Sequence, residues 1–465
     1  MIDSVTNKAP EIPRQGAVSH GIGHHVRRTV ALALPVMLAR AGLVVMITVD
    51  TVMVGQAGGE ELAHYAIAFA PQMLLLSVGF GLLIGATVLT AQADGAGRQG
   101  LCGRIWRLAL MLAAAIGLVD ALILAHGEGL LLLLGQEPVL AAAGGKVLLM
   151  WAIGMPGIML YVATAGFLEG VSRPRPGMIV TILANVANAG LNWLMIGGHG
   201  GLPAMGAEGA VLATSITRWL MFLALAAYAL TMRDHARFGI WAPLKGTFGQ
   251  IGAMIRLGAP LALSVGFEAA AFMAAATFAG WLGETSLAAY QIALNFNALI
   301  YMLALGLATA TAVRVANAHG RRDAVGLARA GWVGAGLVFP SMIGATLILT
   351  LAPGWVVGFY SDEADVRALA LQLMTITAWF ILADGAQGVL TGAVRGAADA
   401  VMPTLIAGLS FWLVGVPLCY ALAFTAGWGT VGLIWGLFVS LIVAMCLLAL
   451  RFHIVSRRAT LAFAA

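Results

Sequence analysis

The chain has 465 residues, 61% of them hydrophobic and 10% charged, with 25 Lys and Arg against 20 Asp and Glu. Soluble domains carry roughly 25% charged residues, and a mean hydropathy of +0.95 leaves too little polar surface for a water-soluble body. The composition excludes a soluble enzyme or binding module and leaves a polytopic membrane protein.

In chain order, the first 28 residues are polar, with His20, His24, His25, Arg27 and Arg28 ahead of the first apolar stretch. The short apolar core and small-residue cut site of a cleavable signal peptide are not seen there, so the first helix is expected to stay as a signal anchor behind a disordered tail. Apolar stretches of at least ~18 residues cover 29–54, 62–92, 105–126, 143–168, 176–198 and 206–231. A polar stretch follows, with Arg233, Asp234, His235, Arg237 and Lys245. Six more apolar stretches cover 251–280, 286–315, 329–352, 367–393, 402–424 and 431–452. The pattern predicts an all-α fold of twelve transmembrane helices. Its divisions are an N-terminal tail 1–28, an N-lobe 29–231, an inter-lobe linker 232–250, a C-lobe 251–452 and a C-terminal tail 453–465.

Lys and Arg are retained on the cytoplasmic side of a membrane. Arg40, Lys146, Arg218 and Arg367 lie in or beside apolar spans or in loops of the far side, and the other 21 fall at the termini or in loops on their side, Arg98, Arg104, Arg107, Arg173, Arg175, Arg321, Arg322 and Arg329 among them. Both termini and the linker are therefore expected in the cytoplasm, in a bacterial inner membrane. The opposite face collects Glu60, Glu61, Glu128, Glu137, Glu208, Glu284, Asp362, Glu363 and Asp365. The basic excess thus reports topology and gives no ground for nucleic-acid binding. Trp106, Trp281 and Trp355, at span ends, fit an interfacial belt. Cys102, Cys419 and Cys446 show neither disulfide nor metal spacing.

The two halves repeat. An offset of 225 positions, without a gap, puts Pro35 on Pro260, Gly55 on Gly280, Gly58 on Gly283, Leu62-Ala63 on Leu287-Ala288, Tyr65 on Tyr290, Gly81 on Gly306 and Gly95 on Gly320. Two homologous six-helix bundles suit a transporter, because a path between them opens to one side and then the other as they rock.

Carboxylates inside the spans carry the chemistry. Asp50 lies in the first helix, Asp120 in the third, Glu268 in the seventh and Asp384 in the tenth. A charged group at a helix centre costs about 2.5–3.5 kcal/mol on insertion scales, so such groups face a cavity and mark ion paths. Asp120, five residues before Ala125-His126, reads as interfacial, and Asp50 also lies near an outer end. Glu268 and Asp384 sit well inside their spans with no base beside them in sequence. On the fifth helix, Asn185, Asn188 and Asn192 share one side and should meet the cavity or another helix, since lipid would leave their amides unsatisfied. Arg40 either brings positive charge into the cytoplasmic half of the cavity or snorkels to the interface.

Val49-Asp50-Thr51-Val52-Met53-Val54-Gly55, behind Pro35 and ahead of Leu62-Ala63, resembles the first helix of the multidrug and toxic compound extrusion (MATE) transporters. Glu169-Gly170 before Pro174 and Pro176, the run Asn185-Val186-Ala187-Asn188-Ala189-Gly190-Leu191-Asn192, and Met205-Gly206-Ala207-Glu208-Gly209-Ala210 are similar to the same family. So are Pro260 through Glu268, Ala289-Tyr290-Gln291-Ile292-Ala293-Leu294-Asn295, and Asp384-Gly385-Ala386-Gln387 followed by Arg395-Gly396. The likeness runs over roughly residues 29 to 440, and the order and spacing of the motifs make it specific. It implies two lobes around a central cavity and export of amphipathic organic cations in exchange for sodium or protons, with no cofactor. In the NorM-like branch the coupling residues match Asp50, Glu268 and Asp384; Glu268 and Asp384 become candidate sodium ligands. Gln291, Asn295, Asn185, Asn188, Asn192, Phe380 and Arg40 become cavity or supporting groups. Phe380 stands where that branch often has Tyr, offering a π face and no hydroxyl. The archaeal and DinF-like branch carries Asn and Asp four apart on the fifth helix; here both are Asn, at 188 and 192. The expected partners are small-molecule cations and the lipid bilayer, and the expected assembly is a monomer.

Other classes lack their signatures. None of the nine His falls in H-E-x-x-H, and the only lysines, Lys8, Lys146 and Lys245, are not followed by Ser or Thr as a phosphate-binding loop requires. A membrane enzyme acting on lipid would need paired acid and base carboxylates. A flippase for lipids or lipid-linked glycans on the same scaffold would want several bases facing the cavity, and only Arg40 and Arg218 qualify against four acids.

Overall fold

The computed structural model describes residues 21–244, 249–358, 360 and 363–464. Residues 1–20 of the tail, Lys245 and Asp362 lie outside the described residues. Twelve helices are long and apolar enough to cross a membrane: α1 Ile22–Ala57, α2 Gly59–Gly95, α3 Gln99–Ala125, α4 Pro138–Gly170, α5 Arg175–Ile196, α6 Gly206–Thr231, α7 Gly249–Trp281, α8 Glu284–Gly320, α9 Ala324–Leu351, α10 Ala364–Gly396, α11 Val401–Thr425 and α12 Gly429–Phe463. Several starts are dictated locally. Pro138 sits in the first turn of α4, where its missing N–H costs nothing. Gly58 and Gly283, mates in the repeat, take φ of 151° and 115° between α1–α2 and α7–α8, a conformation closed to other residues.

The helices outrun the apolar stretches. Residues 22–28 of the expected tail belong to α1, and 453–463 continue α12. A hydropathy window ends where lipid ends, but a helix keeps its backbone bonds satisfied beyond that point. The expected linker is also shorter, because α7 starts at Gly249. It is not loose: Phe238 and Ile240 are buried, the Gly103 N–H donates to the Phe238 carbonyl at 2.8 Å, and Arg173 pairs with Asp234. Of the three tryptophans expected in a belt, Trp281 and Trp355 are exposed. Trp106 is instead buried, donating to Thr164 Oγ1 at 3.2 Å and stacking on Phe167. The end of an apolar run does not say which way a side chain faces.

Helices α1–α6 and α7–α12 form two bodies, each with a main core that also takes in residues of the other across the seam, Met254 in the first and Leu32, Ala33, Val88 and Ala91 in the second, and the repeat shapes that seam. A Cβ added to Gly81 on α2 would lie 2.5 Å from Ala262 Cα on α7, and one added to Gly306 on α8 would lie 2.7 Å from Met37 Cα on α1. The offset of 225 relates Gly81 to Gly306 and Met37 to Ala262. The same reciprocity recurs one level down, where Gly95 meets Asn317 and Gly320 meets Gln92. Gln92 Nε2 also donates to the Gly396 carbonyl at 3.4 Å, and Arg314 Nη1 to the His25 carbonyl at 2.7 Å. All these contacts lie toward the side holding both described chain ends. There α2 is buried on every face (Gly79, Gly81, Leu83, Gly85, Ala86, Val88), whereas its other half buries a single stripe, Tyr65, Ala68, Gln72 and Leu76. α8 follows the same pattern, so the bodies meet at one side and part toward the other.

Candidate functional site

Each lobe holds one polar cluster. In the N-lobe, Asp50 projects from α1 into the lobe and is 0% exposed. Its Oδ1 accepts from Asn192 Nδ2 at 2.6 Å and its Oδ2 from the Thr214 hydroxyl, also at 2.6 Å. Asn188 Nδ2 donates to Thr214 Oγ1 at 3.0 Å, and Asn192 Nδ2 reaches Asn188 Oδ1 at 3.3 Å. The 4-residue spacing of the two asparagines on α5 places both amides opposite α1 and α6. Asn185, one turn earlier, donates to the Gly42 carbonyl of α1 at 3.0 Å. The amide face of α5 is thus turned to its neighbours, as its spacing implied. Thr214 had no signal in sequence, where it is one hydroxyl among many.

In the C-lobe, Asp384 of α10 is buried and accepts at Oδ2 from Asn297 Nδ2 of α8 at 3.0 Å. Glu268 of α7 stands within electrostatic reach of Asp384. Asp384 Oδ1 and Gln387 Oε1 have no partner among the described residues.

Gln291 and Asn295 are exposed, and Asn295 Nδ2 bonds to its own helix at the Gln291 carbonyl, 2.9 Å away. The polar group of α8 that meets Asp384 is Asn297, on the stripe Tyr290, Ala293, Asn297 and Ala304, which is buried throughout. Projecting that stripe from the repeated Tyr290 would have found it. Phe380 does not present an open π face: it is buried and packs edge-on against Phe272. Asp120, one turn and a residue before the end of α3 at Ala125, is buried, and its Oδ2 has no hydrogen-bond partner among the described residues. Arg40 does not stand free in a cavity, because Glu169 pairs with it at 3.5 Å; that acid lies just past the apolar stretch. Arg314 and Arg395, read as loop bases, lie within α8 and α10. The interior count thus becomes Asp50, Asp120, Glu169, Glu268 and Asp384 against Arg40, Arg218, Arg314 and Arg395.

Arg218 is itself buried in the N-lobe, with its guanidinium 4.4 Å from the Trp151 ring centroid. Among the described residues, no three His, Cys, Asp or Glu gather as a metal site would require. Cys102 and Cys419 are buried, Cys446 is exposed, and all three are free.

The sequence matches the profile of the MatE family over residues 35–194 and 260–421, one segment in each lobe. It is 34% identical to a probable multidrug resistance protein NorM of Caulobacter vibrioides, over 92% of this chain and 91% of that one. A NorM of the same description from Bradyrhizobium diazoefficiens is 33% identical over 98% and 99%. Among solved structures, an outward-facing multidrug resistance MATE family transporter of the MOP superfamily superimposes with a TM-score of 0.87 at 18% identity, covering 94% and 97% of the two chains. The eukaryotic MATE transporter AtDTX14 gives 0.86 at 20% identity, covering 96% and 100%.

Proposed function

Because the chain belongs to the MatE family of membrane transporters, we propose that it is a multidrug efflux antiporter, exporting amphipathic organic cations in exchange for sodium or protons. The observation that carries this reading is the Glu268–Asp384 pair. Two acids at mid-span lie within electrostatic reach of one another, and Asp384 Oδ1 and Gln387 Oε1 beside them have no hydrogen-bond partner among the described residues. Hard monovalent and divalent cations are held by such oxygens, and a proton on either acid relieves the same repulsion. One site then takes either an inorganic cation or the charged end of a substrate, and exclusive occupancy is what antiport requires. Glu268 and Asp384 would be the sodium ligands if sodium is the coupling ion, and Asp50 would be a second coupling carboxylate.

With both termini in the cytoplasm, the seam of α1, α2, α7 and α8 closes the cytoplasmic side, and the parted side faces out. Rocking about that seam supplies alternating access. A potential negative inside opposes export of each positive charge by ~2.3 kcal/mol per 100 mV, so at least one entering cation is needed to offset it. The test uses the protein in proteoliposomes with sodium and proton gradients imposed separately. Ethidium-like dyes should be exported, and organic anions of equal size and lipophilicity should not. Equal transport of the anions, or dye export that persists after both gradients collapse, would overturn the reading.

A further inference from the structure

We infer that His25 and Arg314 form a proton-sensitive latch, which holds the seam between the lobes shut only while the His25 ring is neutral. Arg314 lies on α8 of the C-lobe, and its side chain reaches α1 of the N-lobe. Nη1 donates to the His25 carbonyl at 2.7 Å and to the Thr29 hydroxyl, whose own proton goes back to the His25 carbonyl at 2.9 Å. Nη2 stands 2.8 Å from His25 Nδ1. A guanidinium has N–H donors and no acceptor, so Nδ1 must accept, and the imidazole carries its one proton on Nε2. His25 and Thr29 are both buried in this contact. A second proton on the ring would set N–H against N–H and one positive charge against another. The ring can therefore be protonated only once Arg314 has withdrawn, and withdrawal of Arg314 parts the two lobes at this point.

The charged groups around the ring come from every side of the contact. Besides Arg314, Arg329 of α9, His24 of α1 and Asp323 of the α8–α9 turn act on His25, and Arg28 of α1 and Arg321 act on Arg314. Bases outnumber acids in this set, and Asp323 is engaged elsewhere, its Oδ1 accepting from the Gly326 N–H at 2.7 Å as the cap of α9. A histidine in water titrates at about 6.5. Proton uptake here has to break the latch first, so the latch is whole at alkaline pH and weakens as the pH falls below that value. His25 comes before the apolar stretch that opens at residue 29, on the side holding both described chain ends. With those ends in the cytoplasm, an acid cytoplasm releases the seam toward the state in which an exporter loads its substrate.

This inference deepens the proposed antiport and rests on its rocking lobes. Its test reads the seam at equilibrium without any substrate, so a failure of dye export counts against the transport reading only. Arg98 and Val325 are exposed, one in each lobe, at the turns that follow α2 and α8. With Cys446 replaced, nitroxide labels at Arg98→Cys and Val325→Cys report the distance across the seam by electron-electron resonance in lipid nanodiscs. Between about pH 8 and pH 5 the ratio of long to short distances should rise, by up to about tenfold per pH unit below the histidine value for a single proton. His25→Asn, which sets an amide oxygen where Nδ1 stands, should keep the short distance and lose that rise. Arg314→Met should populate the long distance already at the alkaline end. A rise unchanged by His25→Asn would assign the proton to another group and overturn the inference, as would the absence of any rise in the unaltered protein. If His25→Asn fails to fold, His25→Gln gives the same two readings.

Discussion

Asp50 and Asp384 are both buried aspartates on long helices, and their hydrogen bonds set them apart. Asp50 is satisfied at both oxygens by donors, whereas Asp384 is satisfied at one and bare at the other, with Glu268 close by. A buried acceptor left unpaired costs roughly 1–3 kcal/mol, so Asp384 Oδ1 is the oxygen at which the proposed cation or proton would be taken up. Glu268→Gln and Asp384→Asn are each expected to reduce gradient-driven dye export to the leak rate while leaving membrane insertion intact. Efflux from proteoliposomes and the yield of folded protein measure the two halves of that statement, and retained export in both variants would contradict it. Among the described residues, Asn297 supplies the side-chain hydrogen bond to Asp384. Asn297→Ala should therefore slow export more than Asn295→Ala, whose amide bonds only to its own helix; initial efflux rates at saturating dye rank the two.

At the scale of elements, α5 and the four seam helices show how spacing becomes packing. Asn188 and Asn192 are fully buried against α1 and α6. A cysteine at position 188 should thus resist a lipid-restricted thiol probe, and fast labelling by that probe would contradict the placement. In the seam, backbone runs so close to backbone that a glycine is the residue that fits. Gly81 and Gly306 occupy equivalent crossings, so Gly81→Val and Gly306→Val should lower the thermal unfolding temperature by similar amounts, each by about 1–3 kcal/mol of overpacking. A large effect at one site and none at the other would deny that the two crossings are equivalent.

For the whole molecule, the decisive feature is the close seam along one side of the lobes, among the described residues. If transport requires this seam to open, joining it should stop transport without touching the carboxylates. Gln92 and Gly396 meet across the seam. With the exposed Cys446 replaced, Gln92→Cys/Gly396→Cys bridged by a short bifunctional thiol reagent should lose dye export, and each single variant treated alike should keep it. Continued export by the bridged protein would rule out opening at this level.

Much of this was legible in the chain itself. Lipid admits only backbone that satisfies its own hydrogen bonds, so apolar runs sufficed to set twelve helices, and the repeat of Pro, Tyr and Gly at one offset implied two equivalent bodies. The cost of charge in lipid likewise marked Asp50, Asp120, Glu268 and Asp384 without any contact being known, and the family resemblance singled out Asp50, Glu268 and Asp384 among them. Tertiary structure alone decided partnership. Asn297 rather than Asn295 meets Asp384, Glu169 holds Arg40, Thr214 holds Asp50, and Trp106 turns inward. Each of these depends on which face of a helix meets which neighbour, and in helices apolar on all sides, hydropathy carries no record of the face.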